Sequence, residues 1–135
     1  MTRNIVIVGA GRVGRHVAEQ LREERNAVTV IEQNQANCEQ VASKVNRVIE
    51  GDGSDPEVFG QVDLSTVDVV AALTDNTEVN LAVCEMASDK NADVKTILRI
   101  ARDGEQDNAH RHFVDSVVYP AAAGADVALD RITSV

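Results

Sequence analysis

Residues 5–14, IVIVGAGRVG, decide the fold, because an apolar run there leads directly into three closely spaced glycines. The first four residues are continuously apolar, which is typical of a strand buried on both faces of a parallel sheet. Gly9, Gly11 and Gly14 have the spacing G-x-G-x-x-G, and Val17 and Leu21 follow at helical spacing. The stretch therefore predicts a strand, a tight turn and a helix.

The three glycines suit separate roles in such a turn. Gly9 makes the turn itself, Gly11 lets the backbone approach a pyrophosphate, and Gly14 lets the helix pack closely on the strand. The helix then points free amides and a positive dipole end at the phosphates. Arg12 lies inside the loop and either adds a cation for the phosphates or is a solvated side chain.

Composition and charge exclude several classes of protein. The 135 residues suffice for one domain, and 44% hydrophobic with 2% aromatic residues predicts an aliphatic core. A net charge of -9 argues against nucleic acid or an anionic membrane as a direct partner. Because the first predicted strand begins at once, no signal peptide is expected, and no apolar run is long enough to predict a membrane span. Abundant acids and only three lysines, Lys44, Lys90 and Lys95, indicate either a salt-loving source or an ordinary acidic cytosolic protein.

Strands alternate with helices along the whole chain. This alternation predicts a Rossmann-like α/β fold, a doubly wound parallel sheet of about six strands in three α/β/α layers. The predicted strands are residues 5–8, 27–31, 47–50, 67–74, 94–100 and 116–119. Asp55 before Pro56, and Asp75 three residues before Glu78, resemble helix N-caps. Cys38 and Cys84 fall on apolar helix faces, which predicts buried reduced thiols.

Two later segments are less regular. Residues 103–112 are highly polar and are interpreted as a weak, exposed helix. Residues 121–132 predict a final helix with an apolar face of Ala125, Ala128, Leu129 and Ile132.

Ligands of doubly wound sheets bind outside the carboxyl ends of the strands, so polar residues there are the candidates. They are Glu32, Asp52, Thr74, Asp75 and Arg99. The carboxylate of Glu32 suits ribose hydroxyls and would repel a 2′-phosphate, which favours NAD over NADP. Asp52 lies where an adenine would be, although its sequence also makes an ordinary turn. Arg99 either reaches a phosphate or ribose, or forms an ion pair with Asp75 or Glu78.

Five motifs occur in an order that resembles one family: GAGRVG (9–14), Glu32, GDGSD (51–55), ALTDNTEVN (72–80) and ILRIAR (97–102). The family is the TrkA N-terminal domain, also called the RCK or KTN domain, and the resemblance covers essentially the whole chain. It implies a cytoplasmic nucleotide-binding regulator of potassium channels and transporters. NAD(H) is the ligand of many members, and ATP, ADP or AMP is that of others.

The resemblance also implies roles for individual residues. The glycine loop would hold phosphates, Glu32 the adenosine ribose and Asp52 the adenine, while three later residues would lie near the second half of a dinucleotide. The cofactor-binding residues are thus Gly9, Ala10, Gly11, Arg12, Val13, Gly14, Glu32, Asp52, Gly53, Thr74, Asp75 and Arg99. No catalytic or metal-binding residue is expected.

Assembly is a further implication of the resemblance. Such domains form homodimers or larger rings attached to an integral membrane potassium-translocating subunit, at the inner face of the membrane. Family members usually continue into a second domain, so residues 1–135 are expected to be a single N-terminal domain without it.

The alternative function is the cofactor domain of an NAD-dependent dehydrogenase, or a fragment of a sugar-nucleotide or redox enzyme. Each would need a general acid or base that the sequence does not display.

Overall fold

The computed structural model describes residues 2–134, in which six strands alternate with helices. The strands are β1 (Asn4–Val8), β2 (Ala27–Glu32), β3 (Arg47–Glu50), β4 (Val69–Ala72), β5 (Lys95–Arg99) and β6 (Ser116–Val118). The α-helices are α1 (Arg12–Glu23), α2 (Gln35–Val41), α3 (Pro56–Phe59), α4 (Thr77–Lys90) and α5 (Pro120–Thr133). Short 3-10 turns occupy Ala42–Lys44, Leu64–Thr66 and Gln106–His110.

The sheet has the order β3-β2-β1-β4-β5-β6, and every neighbouring pair is parallel. The chain builds outward from β1 in one direction and from β4 in the other. The order therefore reverses between β1 and β4, which is where such sheets open a ligand crevice. The predicted doubly wound fold is confirmed.

Alternate residues of the strands fill two separate cores. On β1, Val6 and Val8 face the core beneath α4, whereas Ile5 and Ile7 face the core that includes Ala18 of α1. This alternation follows from the two-residue period of a strand. Because both faces are covered, the strands are apolar throughout, and the three-layer arrangement is confirmed.

Some details differ from the sequence-based prediction. The fourth strand is shorter than residues 67–74, since the chain before it forms a 3-10 turn and the chain after it turns into the crevice. Residues 103–112 form only the 3-10 turn Gln106–His110, because they present no apolar face to hold a regular helix against the sheet. Val17, which follows the glycines at helical spacing, is 36% exposed. Small residues, Gly14 and Ala18, form the buried stripe of α1 instead.

Beyond its first residue, Pro120, the final helix α5 is exposed along its whole described length. None of its residues is buried, and Val127, Leu129 and Ile132 are 56%, 61% and 73% exposed. The predicted helix is confirmed, slightly longer than expected, and its apolar side chains face outward. Among residues 2–134, every helix is too short or too polar to span a bilayer.

Candidate functional site

A cleft of about 880 Å³ opens at the carboxyl edge of the sheet, across the ends of β1 and β4. The glycine loop forms one wall, and the segments that follow β2, β3, β4 and β5 form the others. The lining residues are Val8, Gly9, Gly11, Arg12, Val13, Ile31, Glu32, Gln33, Asn34, Asn37, Gly51, Asp52, Gly53, Thr74, Asp75, Asn76, Val79 and Arg99. The strand ends thus converge on one site, as the topology requires.

The geometry of the glycine loop explains its three glycines. Gly9 has φ 99°, and a Cβ there would lie 2.8 Å from the Thr74 amide nitrogen. A Cβ on Gly14 would lie 1.9 Å from the carbonyl oxygen of Gly9, so the helix reaches the strand end only without one. Gly11 is different, because within residues 2–134 no heavy atom other than those of its chain neighbours lies within 4 Å of an added Cβ. The space beside Gly11 is open and belongs to the cleft.

The N-terminus of α1 carries no protein cap. Gly11 is the N-cap and supplies no side chain, whereas Asn34, Asp55 and Asn76 cap α2, α3 and α4 with their side chains. The amide of Arg15 is the first to bond back along the helix, to Gly11 over 2.9 Å. The earlier amides of α1 are left for another acceptor, and together with the helix dipole they make an anion site.

Glu32 connects the glycine loop to the start of α2. Its Oε1 accepts a hydrogen bond from the Ala10 amide (2.5 Å), and its Oε2 accepts one from the Asn34 amide (2.7 Å). A carboxylate has about four lone-pair sites, so roughly two remain for hydroxyl groups in the cleft. The side chain both holds the loop and offers acceptors to a ligand.

The turn after β3 places Asp52 and Gly53 in another wall of the cleft. Asp52 Oδ1 accepts hydrogen bonds from the Ser54 amide (2.9 Å) and the Ser54 hydroxyl (2.7 Å), which fixes the turn. A Cβ on Gly53 would lie 2.4 Å from Val8 Cγ1, so only glycine lets this turn approach the end of β1. Asp52 therefore has the structural role of a turn anchor while it lines the cleft.

The helix cap after β4 is not the residue predicted. Asn76, and not Asp75, is the N-cap of α4, and its side chain accepts a hydrogen bond from the Val79 amide (3.2 Å). The Thr74 hydroxyl accepts a hydrogen bond from the Asn76 amide (3.2 Å) and so sets the turn one residue later than expected. The Asp75 carboxylate, free of the capping role, lies on the wall of the cleft.

Arg99 lies at the end of β5 without the ion pair considered from the sequence. Its Nη1 donates to the Leu73 carbonyl (3.2 Å), while its Nε is buried and has no hydrogen-bond partner in the described chain. Within residues 2–134 the ion pair of Lys44 with Glu19 is the one formed, so neither Asp75 nor Glu78 pairs with Arg99. The guanidinium keeps spare donors and an uncompensated positive charge at the cleft.

One of the two cysteines, Cys38, lies beside the site. Cys38 Sγ donates to the Glu32 carbonyl (3.3 Å) and lies beneath that strand end. Burial raises the pKa of Cys38, and the negative charges of Glu50, Glu32 and Glu39 raise it further. Both cysteines are buried and unbridged, as predicted. Within residues 2–134 no group of three or more His, Cys, Asp or Glu side chains could hold a metal ion.

Ten of the twelve predicted site residues line the cleft. Ala10 and Gly14 do not, because Ala10 is fully buried with its amide bonded to Glu32, and Gly14 is packed against Gly9. The lining residues that were not singled out are Val8, Ile31, Gln33, Asn34, Asn37, Gly51, Asn76 and Val79. For Asn34 the sequence carries a signal, since it lies two residues after a strand and has the residue type of a helix N-cap.

Comparison with known proteins agrees on one family. The family model of the TrkA-N domain matches residues 5–120. The Trk system potassium uptake protein TrkA homolog of Pyrococcus abyssi is 34% identical over 128 residues, which are 90% of this chain and 56% of that protein. Its counterpart in Pyrococcus horikoshii is 36% identical over 103 residues, covering 76% of this chain and 45% of that protein. The chain thus spans about half the length of these relatives.

Solved structures share the fold at lower identity. The TrkA-N domain of the inner membrane protein ybaL from Escherichia coli has a TM-score of 0.84 at 22% identity, with 96% of each chain covered. GsuK bound to ADP has a TM-score of 0.82 at 18% identity, over 97% of this chain and 34% of that one. The GsuK channel bound to NAD has a TM-score of 0.70 at 16% identity, over 87% and 21%.

Proposed function

Because the chain belongs to the TrkA-N domain family, we propose that it is a nucleotide-sensing regulatory domain of a potassium uptake or channel system. Its cleft binds NAD(H), and the adenine nucleotides ATP, ADP and AMP are the alternative ligands, since they carry the same adenosine and phosphate groups. Relatives of this fold have been solved with NAD and with ADP, which supports both ligand classes.

The observation that carries the proposal is the uncapped N-terminus of α1 facing an open cleft. Three other α-helices of the described chain begin with a side-chain cap, whereas α1 leaves its amides to an outside acceptor. Gly11 leaves the space beside them clear. A pyrophosphate fills such a site with charge and with acceptor oxygens.

The remaining walls favour a particular orientation of the ligand. Glu32 and Asp52 lie on the β2 and β3 side, where ribose hydroxyls and adenine would bind. Thr74, Asp75 and Arg99 lie on the β4 and β5 side, where they would contact the second half of a dinucleotide or the distal phosphates. The carboxylate of Glu32 disfavours a 2′-phosphate, so NAD(H) should bind more tightly than NADP(H).

Assembly and location belong to the same proposal. The exposed apolar side chains of α5 favour a homodimer, on its own or within a larger ring, because a two-fold contact covers the same face on both copies. The domain would act in the cytoplasm at the inner face of the membrane, on an integral membrane potassium-translocating subunit. The names of its relatives support the potassium system.

We propose a regulator and not an enzyme. The competing reading, the cofactor domain of an NAD-dependent dehydrogenase, requires hydride transfer to a second substrate. Steady production of NADH from NAD, with a small alcohol or hydroxy acid as the hydride donor, would favour that reading.

A thermal-shift panel tests the proposal. The protein is heated with NAD, NADH, NADPH, ATP, ADP or AMP, and with inorganic phosphate as the control for nonspecific anion binding. A ligand of the folded state at 100 times its Kd stabilises by about 2.7 kcal/mol, which raises the Tm of a domain this size by several degrees. We expect NADH to raise the Tm more than NADPH. No shift with any nucleotide would contradict the proposal.

A further inference from the structure

Asn80 is a buried asparagine on α4, one turn into the helix behind the cleft. It is fully buried, although asparagine is a poor helix former and pays a desolvation cost when its amide is not fully bonded. It does not line the cleft. Its place in the fold therefore needs a reason other than packing or direct contact with a ligand.

The side-chain amide of Asn80 joins the ends of two strands. Oδ1 accepts hydrogen bonds from the Thr74 amide (3.0 Å) and the Thr74 hydroxyl (2.6 Å). Nδ2 donates to the carbonyl of Thr74 (3.1 Å) and to the carbonyl of Arg99 (3.0 Å). These four bonds use both donors and both lone pairs of the amide. Thr74 and Arg99 are thereby held at a fixed separation.

The position of Thr74 also matters to the glycine loop. The closest heavy atom to a Cβ added at Gly9 is the Thr74 amide nitrogen, so the loop and Thr74 are in direct contact. That same amide is the donor to Asn80 Oδ1. The Asn80 amide thus fixes the wall of the cleft that faces the glycine loop. Through its bond to the Arg99 carbonyl it also fixes the position of Arg99 relative to that wall.

We infer that Asn80 is a positioning residue for the second half of the bound nucleotide, acting through Thr74 and Arg99. This inference rests on the proposed function, since it concerns the β4 and β5 side of the same cleft. The adenosine half would contact Glu32, Asp52 and the glycine loop, which have no hydrogen bond to Asn80 in the described chain. Loss of the Asn80 amide should therefore affect a dinucleotide more than a mononucleotide.

The test compares NAD with AMP by titration calorimetry on the wild type and on Asn80→Asp. An aspartate at this position accepts from Thr74 but cannot donate to the two carbonyls, and it places a negative charge against them. We expect roughly tenfold weaker binding of NAD, as for the loss of two neutral hydrogen bonds, and a change of about twofold or less for AMP.

Asn91→Asp is the matched control. Asn91 lies at the other end of α4, where its Nδ2 donates to the Leu64 carbonyl (2.8 Å) and its Oδ1 accepts from the Asp93 amide (3.0 Å). The substitution has the same chemistry and also removes a partly buried donor. It should lower the Tm and leave the ratio of NAD to AMP affinity unchanged.

Hydrogen exchange on the wild type gives a second test that does not depend on the folding of a variant. The Thr74 amide should exchange more slowly when NAD is bound and show little change when AMP is bound. Equal protection by the two ligands, or equal losses of NAD and AMP affinity in Asn80→Asp, would overturn the inference alone. Wild-type protein that binds neither nucleotide would overturn the proposed function and the inference together.

Discussion

The Glu32 carboxylate accepts a hydrogen bond from the Ala10 amide across the ends of β2 and β1, over 2.5 Å. An acidic residue at this strand end is usually considered only as a partner of the ribose. Here it also holds the glycine loop, and through the Asn34 amide it holds the start of α2. Replacement by alanine would remove ligand contact and both support bonds together. Glu32→Gln is milder, because its amide oxygen can still accept from the Ala10 amide, although its NH2 group cannot accept from the Asn34 amide.

Glu32→Gln should lower the affinity for NADH by about fivefold, because a charge-assisted hydrogen bond contributes more than a neutral one by roughly 1 kcal/mol. It should also reduce the preference for NADH over NADPH, since the negative charge that repels a 2′-phosphate is gone. Calorimetric titration with both ligands measures the two effects. Glu50→Gln is the control. Glu50 lies at the end of β3, at the register position beside Glu32 in the sheet, and it does not line the cleft. If the ratio of NADH to NADPH affinity were unchanged in Glu32→Gln, the prediction that Glu32 faces the 2′ position of the ribose would be wrong.

Gly14→Ala should lower the stability of the fold, whereas Gly11→Ala should leave the stability nearly unchanged and weaken ligand binding. The new Cβ at Gly14 would collide with the Gly9 carbonyl, so the free energy of unfolding should fall by about 3 kcal/mol. At Gly11 the Cβ meets no non-neighbouring atom of the described residues and φ is -70°, so stability should stay within about 1 kcal/mol of the wild type. Urea unfolding measures both variants. The Gly11 variant should nevertheless bind NADH more weakly, and unimpaired binding would mean that the pyrophosphate does not approach this glycine.

Stability should fall at high pH through Cys84. Burial, with a smaller contribution from the charge of Asp115, raises its pKa to about 12 from the ordinary 9.0. The unfolded thiol loses its proton above pH 9 while the folded one keeps it, so this contribution is complete below pH 9 and is lost as the pH rises toward 12. The free energy of unfolding of the wild type should decrease by about 1.4 kcal/mol per pH unit relative to Cys84→Ala. Parallel pH profiles of the two proteins would contradict this.

Potassium chloride should stabilise the fold. At low ionic strength the excess negative charges, -9 in total, repel one another. The one ion pair within residues 2–134 offsets little of this repulsion. We expect the Tm to rise by several degrees between 0.1 and 2 M salt. Glu85→Lys combined with Asp89→Lys, at two exposed positions of α4, should reduce that rise. A Tm that does not change with salt would argue against the prediction.

The fold and most of the cleft could be predicted because local signals coincide with the topology. The apolar run and glycines of residues 5–14 define β1 and α1, and every later strand has its own apolar run. Once the strands are parallel, their carboxyl ends must meet, which brings Glu32, Asp52 and Thr74 together without any knowledge of side-chain packing.

The remaining features depend on contacts that a sequence pattern does not contain. Asp75 and Asn76 are both good capping residues, and the choice between them depends on where the turn after β4 is fixed by the Thr74 hydroxyl. The partner of Arg99 depends on the direction of its side chain at the end of β5, where the Leu73 carbonyl is nearest. Asn80 belonged to a recognised motif, but its bonds to two strand ends became visible only in three dimensions.

The most direct test of the central claim, that a nucleotide binds across the strand ends with its phosphates on α1, is an NMR titration of the labelled protein with NADH. We expect the amide resonances of Arg12, Val13 and Thr74 to move with increasing ligand, because their groups lie at the cleft and the first amides of α1 gain an acceptor. The amide resonances of Arg3 and Asn26, at the amino edge of the sheet, should not shift. Shifts centred on Arg3 and Asn26, or no shifts at all, would contradict the assignment of the site.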